Sequence, residues 1–271
     1  MIVVGNEKGG AGKSTIAIHL VAGLLQADAR VAVIDLDLRQ QSLGHFFASR
    51  RAWTAAAGVE LPAPMEYRLA ADGAKLAVAD PREGVALFET ALAEAKGECD
   101  FVVIDTPGGD TALSRAAHWR ADLIVTPMND SFVDFDLLGQ VDPVTLDLVK
   151  PSLYAETVWE ARKAKMVAER TSLDWVVLRN RLAPTEARNR KRVEEQMVAL
   201  AKRAGFRIGP GLRDRVIYRE LFPFGLTVAD LAPGVRPVPI SLSHIAARQE
   251  LRALMATLGL DAEPVRELAA S

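Results

Sequence analysis

The sequence predicts an α/β fold in which helices cover both faces of a doubly wound, mostly parallel sheet. Two observations lead to this expectation. Short apolar and β-branched segments recur along the chain, and each is followed by a turn and a stretch with helical spacing. Strands that are apolar along their whole length are buried on both faces, which a parallel sheet between two helical layers allows. Strands are expected at residues 2–4, 31–34, 101–104, 123–126 and 175–178.

The first predicted unit is a strand, a glycine-rich turn and a helix. Residues 2–4 are Ile-Val-Val, and residues 14–25 carry Ile16, Leu20 and Leu24 at helical spacing. The carboxyl ends of parallel strands meet at one edge of a doubly wound sheet, and ligands bind at that edge. The residues expected there are Gly5, Asp35, Asp105 and Thr126. Four predicted strand ends therefore point to one binding site.

Length and composition bound the class of protein. The 271 residues are 49% hydrophobic and 25% charged, which is typical of a globular protein, and we interpret residues 1–271 as a single domain. No segment resembles a secretion signal or approaches the roughly 18 apolar residues of a membrane span, so we expect a cytoplasmic protein. Cys99 is the only cysteine and the four histidines lie far apart, so we expect no zinc or iron–sulfur site built from these residues.

Two segments depart from the alternating pattern. Between residues 48 and 74 the periodicity is weak and Pro62 and Pro64 interrupt it, which predicts an insertion that crosses the surface. Residues 242–258 have apolar side chains at helical spacing, as in a membrane-binding amphipathic helix or a helix packed on the core. The acidic residues that follow favour the core-packed helix.

Residues 8–15, Lys-Gly-Gly-Ala-Gly-Lys-Ser-Thr, contain what a phosphate-binding loop needs. Glycines let backbone N–H groups point into one concavity, a lysine reaches the terminal phosphates, and a hydroxyl binds Mg²⁺. The predicted nucleotide-binding residues are Gly9, Gly10, Ala11, Gly12, Lys13, Ser14 and Thr15. Ser14 is also predicted to coordinate the metal. The molecules that we expect this loop to bind are ATP and Mg²⁺. The alternative is a glycine-rich turn with incidental lysines.

One position departs from the general phosphate-loop pattern. Glu7 stands where the first glycine would be, and Lys8 adds a second lysine inside the loop. The form Lys-Gly-Gly-x-Gly-Lys-Ser resembles the deviant Walker A ATPases of the ParA/MinD family. In that family the early lysine reaches across a dimer interface to the partner's nucleotide. The resemblance therefore implies a P-loop ATPase that forms a homodimer when ATP is bound, with Lys8 and Lys13 as catalytic residues.

Three carboxylates follow predicted strands. Asp35 and Asp37 alternate along the chain, so their side chains point to the same side of the backbone, and Asp105 closes the strand at residues 101–104. Phosphoryl transfer to water requires a group that positions the water and groups that hold Mg²⁺. The resemblance assigns Asp37 to the water and places Asp35 and Asp105 at the metal. A solvated strand end is the alternative for the first two carboxylates.

Base recognition has two candidates. Asn180 follows the strand at residues 175–178, its amide can both donate and accept hydrogen bonds, and the family has a base-contacting residue at this position. An asparagine that caps a loop is the alternative. Residues 218–225 resemble the family's late loop that flanks the base, which makes Pro223 the second candidate.

The resemblance extends to one branch of the family, the ATPases that position the division plane. It is carried by residues 6–14, 35–40, 46–53, 127–135 and 213–219. That branch implies an ATP-dependent dimer that binds chromosomal DNA without sequence specificity, is recruited by the partition protein ParB, and inhibits FtsZ assembly. It also implies enrichment on the nucleoid near ParB complexes and no membrane partner. Iron–sulfur carriers of the family need more cysteines than Cys99.

A basic segment supports the DNA expectation. Residues 179–219 contain twelve basic residues and only four acidic ones. The predicted DNA-binding residues are Arg188, Arg190, Lys191, Arg192, Arg213, Arg215 and Arg219. Contacts to phosphates alone predict binding that depends on salt and not on sequence. A helix from about residue 186 with ordinary surface ion pairs, such as Arg190 with Glu194, is the alternative.

Two other functions fit the same motifs. The first is a ParA-like ATPase for chromosome or plasmid partition, and the second is a metabolic ATP-dependent ligase or kinase on the same fold. A ligase or kinase requires a small-molecule pocket with convergent polar groups. Slow hydrolysis without any added metabolite favours a switch, whereas strict dependence on a small substrate favours the ligase.

Overall fold

A seven-stranded parallel sheet forms the centre of the computed structural model. The structure describes residues 1–69, 80–129, 132–142, 148–180, 187–230, 234–235, 239 and 241–261, and of these it leaves out the side chains of 132–134, 141, 148 and 187–193. The strands are β1 Ile2–Val4, β2 Val31–Asp35, β3 Met65–Tyr67, β4 Phe101–Asp105, β5 Leu123–Asn129, β6 Gly139–Val141, β7 Leu148–Pro151, β8 Asp174–Asn180 and β9 Arg207–Pro210.

Helices connect these strands. They are α1 Lys13–Gln26, α2 Ser42–Ala57, α3 Pro81–Glu98, α4 Ala112–Arg120, α5 Leu153–Glu169, α6 Ala187–Ala204, α7 Val216–Leu221 and α8 Leu242–Thr257. Short 3-10 turns span Phe132–Leu137 and Phe222–Phe224. The sheet order is β3-β2-β4-β1-β5-β8-β9, and β6 pairs with β7 as a separate antiparallel hairpin. All five predicted strands are present, and β1 lies at the centre between β4 and β5.

Two hydrophobic cores lie on opposite faces of the sheet. Ile2 and Val4 join one core, to which α1, α2 and α8 contribute apolar side chains. Val3 joins the other core, to which α3, α4 and α5 contribute. This alternation along a three-residue strand is the period-2 geometry of a buried strand with helices on both sides. The predicted doubly wound α/β fold is confirmed.

The predicted surface insertion at residues 48–74 is wrong over its described part. Helix α2 continues to Ala57 and buries Phe46, Phe47 and Arg50, and β3 extends the sheet by pairing with β2. The end of α2 is rich in alanine, whose small side chain gives little helical periodicity in the sequence. Strand β3 has only three residues at the edge of the sheet, so it has no apolar run by which it could be predicted. Residues 70–74 lie outside the described residues.

Two smaller expectations also change. Thr126 does not end its strand, because β5 continues to Asn129 and the Thr126 side chain is fully buried. The predicted C-terminal helix is present as α8 and buries Leu251, Leu254 and Met255, but Leu242 is 84% exposed and does not pack on the core. Among the described helices, none combines the length and hydropathy that crossing a bilayer requires.

Candidate nucleotide site

The phosphate loop connects β1 to α1 at the central strand. Gly10 and Gly12 have φ angles of 76° and 91°, a left-handed backbone that glycine adopts without steric cost. An added Cβ at Gly12 would also lie 2.3 Å from Nδ2 of Asn180. The backbone of the loop therefore favours glycine at positions 10 and 12, and close packing also requires it at position 12.

The loop borders a cleft of about 650 Å³. The cleft is lined by residues of the loop, by Asp37, Arg39 and Gln40 after β2, and by residues 106–108 after β4. These segments all leave the carboxyl edge of the sheet, as predicted for a doubly wound fold. Lys13, Ser14 and Thr15 line the cleft, whereas Ala11 is buried and is not among the lining residues.

Lys13 lies deep in the cleft and is only 8% exposed. Its Nζ donates a hydrogen bond to the main-chain oxygen of Lys8 at 3.0 Å. Burial lowers the pKa of Lys13, and the nearby Asp105 and Asp37 carboxylates oppose that effect. An ammonium group that is already desolvated and held by one carbonyl is well placed to receive phosphate oxygens.

Side-chain amides hold the two ends of the loop. Nδ2 of Asn6 donates to the Pro127 carbonyl at 2.6 Å, and its Oδ1 accepts from the backbone N–H of Lys8 at 2.7 Å. At the other end, Nδ2 of Asn180 donates to the Ala11 carbonyl at 2.9 Å. β5 and β8 thus fix the loop through one asparagine at each end.

Asp105 is the best-placed residue for a metal. It is fully buried beside the loop, and neither carboxylate oxygen has a hydrogen-bond partner among the described residues. Burial raises the pKa of Asp105 to about 8, against the lowering effect of the neighbouring Ser14 hydroxyl. Two unpartnered buried oxygens next to a hydroxyl suit a hard cation such as Mg²⁺, which prefers oxygen ligands.

The metal would depend strongly on the nucleotide. Within the described ranges, no group of three or more His, Cys, Asp or Glu side chains is arranged to hold an ion. Mg²⁺ commonly takes only one or two protein oxygens and completes its coordination with phosphates and water. Ser14 fits that pattern as a direct ligand, and Asp105 beside it would hold the ion through water. Bound Mg²⁺ would neutralise charge on the terminal phosphates.

The structure gives Asp35 a supporting task in addition to its predicted place near the metal. Its Oδ1 accepts from the backbone N–H of Asp37 at 3.0 Å, and its Oδ2 accepts from that of Leu43 at 3.0 Å. Burial raises the pKa of Asp35 to about 6, although these hydrogen bonds oppose the rise. Asp35 thus supports the turn after β2 and the start of α2, and its place near the metal stays a prediction.

Asp37 lines the cleft together with Lys13 and Thr106. Its Oδ1 accepts from the backbone N–H groups of Arg39 and Gln40 at 3.3 and 3.1 Å. The turn after β2 therefore orients this carboxylate in the wall of the cleft. Arg39 and Gln40 line the same wall and were missed, because the sequence gives no signal for exposed polar residues in a turn.

A second cavity of about 190 Å³ lies next to the cleft. Thr15 lines both, and Asn180 and Tyr218 line the second cavity. This continuity leaves room for a base beyond the phosphates. Asn180 is at the predicted place, although its amide N–H also holds Ala11. Pro223 is exposed in a 3-10 turn and is not among the residues that line either cavity.

The predicted DNA-binding residues fall into two groups. Arg188, Arg190, Lys191 and Arg192 belong to α6, but their side chains lie outside the described part of the chain. Arg213, Arg215 and Arg219 line the second cavity.

These three arginines are not equivalent. Arg215 forms an ion pair with Glu250 at 2.5 Å and is largely buried, with 19% of its side chain exposed. Arg219 lies 3.6 Å from Asp214 and Arg213 lies 3.5 Å from Glu250, and both remain exposed. All three arginines therefore have an acidic partner, but only Arg215 is held in a largely buried pair, whereas Arg213 and Arg219 remain exposed.

Comparison of the sequence with known proteins finds a family of ATPases and several of their relatives. A sequence model described as ATPase MipZ matches residues 1–262. The chromosome partitioning protein ParA of Myxococcus xanthus is 24% identical over 190 residues, which cover 64% of this chain and 67% of that protein. The chain also matches iron–sulfur cluster carrier proteins, but it spans only 42% of the length of the one from Deinococcus radiodurans.

Solved structures share the fold. McdA of Cyanothece, solved as a complex with ATP, superimposes with a TM-score of 0.63 at 17% identity, over 96% of both chains. The septum site-determining protein MinD of Pyrococcus horikoshii, solved with Mg-ADP, gives 0.56 at 18% identity, over 97% of this chain and 98% of that one. Together with the match across residues 1–262, this fold makes the chain a ParA/MinD-type ATPase, and it belongs to the MipZ family.

Proposed function

We propose that this chain is an ATP-dependent dimeric switch that positions the division site. ATP joins two subunits, and slow hydrolysis separates them. The proposal rests on the two lysines of the loop. Lys13 lines the cleft and is buried, whereas Lys8 is not among the residues that line its own cleft and stands next to the exposed Gly9 and Gly10. We assign Lys8, at the rim of the loop, to the nucleotide of a second subunit.

The nucleotide of this switch is ATP with Mg²⁺. Lys13 and Ser14 supply the phosphate and metal contacts, Asp105 acts on the ion through water, and Asp37 orients the attacking water. The second cavity takes the base beside Asn180. The lining of the two cavities and the unpartnered oxygens of Asp105 support these assignments.

Sedimentation velocity tests the dimer. We expect a monomer with ADP, a dimer with ATP, and a faster species when nonspecific duplex DNA is added to the ATP form. Lys8→Ala should bind ATP about as tightly as the parent and remain a monomer. Its matched control is Lys163→Ala, which changes an exposed lysine on α5. A Lys8→Ala protein that dimerises normally with ATP would refute the proposed role of Lys8.

The partners of the switch are nonspecific chromosomal DNA, the partition protein ParB and the division protein FtsZ. The match to the MipZ family supports this set, and it implies enrichment on the nucleoid near ParB complexes. We expect the ATP-bound protein to reduce the pelleting of FtsZ polymers and the ADP-bound protein to have little effect. Equal pelleting with both nucleotides would contradict the division role.

A partition ATPase is the second candidate, because a ParA protein is among the relatives of the chain. The two candidates share ATP-dependent dimerisation and DNA binding, so those measurements do not separate them. The pelleting of FtsZ polymers separates the two candidates. A protein that dimerises on ATP, binds DNA and ParB, and leaves FtsZ polymers intact would be assigned to partition.

A further inference from the structure

Four buried polar side chains form a hydrogen-bonded cluster that contacts the carbonyl group of Gly5, shortly before the phosphate loop. The Tyr154 hydroxyl lies 2.8 Å from the Gly5 carbonyl oxygen, 2.9 Å from Oγ1 of Thr126 and 3.2 Å from Nε2 of His118. Nε1 of Trp175 lies 3.0 Å from the same Thr126 oxygen. All four side chains are at most 2% exposed. The ATPase site described above uses none of them.

The chemistry of the donors fixes the direction of this chain of hydrogen bonds. An indole N–H can only donate, so Trp175 donates to Thr126. The Thr126 hydroxyl is then free to donate to Tyr154, and the Tyr154 hydroxyl donates to the Gly5 carbonyl. The chain of donors begins in β8, crosses β5 and ends at the main chain that enters the phosphate loop.

His118 connects the same hydroxyl to helix α4. Its Nδ1 lies 2.6 Å from the Ser114 carbonyl, which can only accept, so Nδ1 carries a proton. Burial lowers the pKa of His118, which favours the neutral ring, and Nε2 is then an acceptor facing Tyr154. The single Tyr154 hydroxyl proton lies on the shorter contact, to the Gly5 carbonyl at 2.8 Å, and His118 at 3.2 Å is a second, weaker acceptor beside it. Helix α4 directly follows the segment whose residues 106–108 line the nucleotide cleft.

The space around Gly5 is equally restricted. A Cβ added there would lie 2.6 Å from Nε2 of His118 and 3.1 Å from the Tyr154 hydroxyl. The Gly5 backbone N–H also donates to the Val125 carbonyl at 3.0 Å. The peptide groups on both sides of Gly5 are thus fixed, one by the sheet and one by a side chain of α5.

We propose that Tyr154 is a positioning residue of the ATPase: its hydroxyl fixes the Gly5 carbonyl and thereby the orientation of the phosphate loop, and His118 links this contact to α4. The loop can bind phosphate only while its N–H groups converge. Loss of the Tyr154 hydroxyl frees the carbonyl at the entrance of the loop. The change should therefore weaken nucleotide binding without removing any group that touches the nucleotide.

Tyr154→Phe tests the proposal because it removes the hydroxyl and keeps the ring, which packs edge-on against His118 and Trp175. The variant is titrated with a fluorescent ATP analogue and Mg²⁺, well below the unfolding temperature. Its Kd should be about tenfold higher than that of the parent, because a factor of this size corresponds to the loss of one good hydrogen bond. In steady-state hydrolysis, KM should rise by a similar factor and kcat should change less. The same titration with an ADP analogue should show a comparable loss.

Tyr67→Phe is the matched control. The Tyr67 hydroxyl contacts Glu98 at 2.6 Å. Tyr67 belongs to β3, an edge strand that β2, β4 and β1 separate from β5 and β8. The nucleotide affinity of this variant should equal that of the parent. A Tyr154→Phe protein that unfolds at a lower temperature but binds ATP within twofold of the parent would overturn the proposal, because the hydroxyl would then contribute to stability alone.

A second variant and a second measurement cover the case in which Tyr154→Phe does not fold. Thr126→Val removes the donor to Tyr154 with little change of shape, and it should weaken ATP binding about threefold. In protein labelled with 5-fluorotryptophan, the ¹⁹F resonance of Trp175 should move when Mg-ATP saturates the parent. An unmoved Trp175 resonance together with unchanged affinity of Thr126→Val would overturn the proposal.

Discussion

Identical side chains take different tasks at the residue scale, and the loop lysines are the clearest example. Lys8 and Lys13 are five residues apart in one glycine-rich segment. Lys13 is buried and lines the cleft, whereas Lys8 offers its main-chain carbonyl to Lys13 and does not line the cleft with its side chain. The backbone of the loop, and not the residue type, separates the lysine that we assign to the phosphates from the lysine that we assign to the dimer interface.

Asp37 carries the first prediction at this scale. Asp37→Ala removes the carboxylate that we expect to orient the attacking water, so hydrolysis should fall by about 100-fold or more while ATP binding persists. The ATP-bound dimer should then accumulate in sedimentation experiments. Asp261→Ala, at an exposed position after α8, is the control and should hydrolyse ATP normally. A monomeric Asp37→Ala protein saturated with ATP would contradict this scheme.

His19 provides a prediction about pH and stability. Nδ1 of His19 lies 2.8 Å from the Thr15 carbonyl, and the ring packs edge-on against Tyr218. Burial lowers the pKa of His19 to about 4, whereas an unfolded histidine titrates near 6.5. Between these values the unfolded chain binds the extra proton, so this contribution to stability is present above pH 6.5 and is lost as the pH falls.

Urea unfolding at pH 7 and pH 5 measures this effect. The parent should lose about 2 kcal/mol more stability over this interval than His19→Asn, because the variant has no imidazole to protonate on unfolding. His45→Asn, which changes an exposed histidine, should lose as much as the parent. Equal losses in the parent and in His19→Asn would show that His19 does not carry the pH dependence.

At the scale of elements, a buried ion pair ties α2 to the turn after Phe222–Phe224. Arg50 donates to both carboxylate oxygens of Asp230, at 2.9 and 2.7 Å, and also to the Gly225 carbonyl at 3.0 Å. Arg50 and Asp230 are each 1% exposed. Asp230 in turn accepts from the backbone N–H and the hydroxyl of Thr227. The pair anchors residues 225–230 to α2.

Removal of one partner of this pair should be costly. Arg50→Met leaves the Asp230 carboxylate buried without its guanidinium, and we expect a loss of about 3 to 5 kcal/mol in the free energy of unfolding. Arg30→Met breaks the exposed pair with Asp100 and should cost less than about 1 kcal/mol. Urea denaturation of both variants gives the comparison. Similar losses for the two would mean that burial does not govern the contribution of Arg50.

The molecule as a whole has a net charge of −2, so it should bind DNA through its basic segment at residues 179–219. Affinity for nonspecific duplex DNA in the ATP state should fall steeply between about 50 and 300 mM salt and vary little with sequence. Arg188→Ala combined with Arg192→Ala should reduce the slope of log affinity against log salt by about 2. Arg215→Ala should change that slope little, because Arg215 is held by Glu250. Equal binding at both salt concentrations would refute the phosphate contacts.

The sequence predicted those parts of the fold that local composition encodes. Five apolar strands were found because a strand buried on both faces must be apolar along its length. β3, with the sequence Met-Glu-Tyr, and β9, with Arg-Ile-Gly-Pro, were missed because edge strands need no continuous apolar run. The helical end of the predicted insertion was missed for a related reason, since small alanines carry little periodic signal.

The site divides in the same way. Motif spacing by itself determined the phosphate loop. Its glycines, lysines and hydroxyl are neighbours in sequence, and the backbone geometry that brings them together is local. Only the tertiary structure decided that Asp35 supports α2, that Arg215 is engaged by Glu250, and that Tyr154 holds the Gly5 carbonyl from 149 residues away. Hydrogen bonds between distant segments depend on how the helices pack on the sheet, and no local pattern records them.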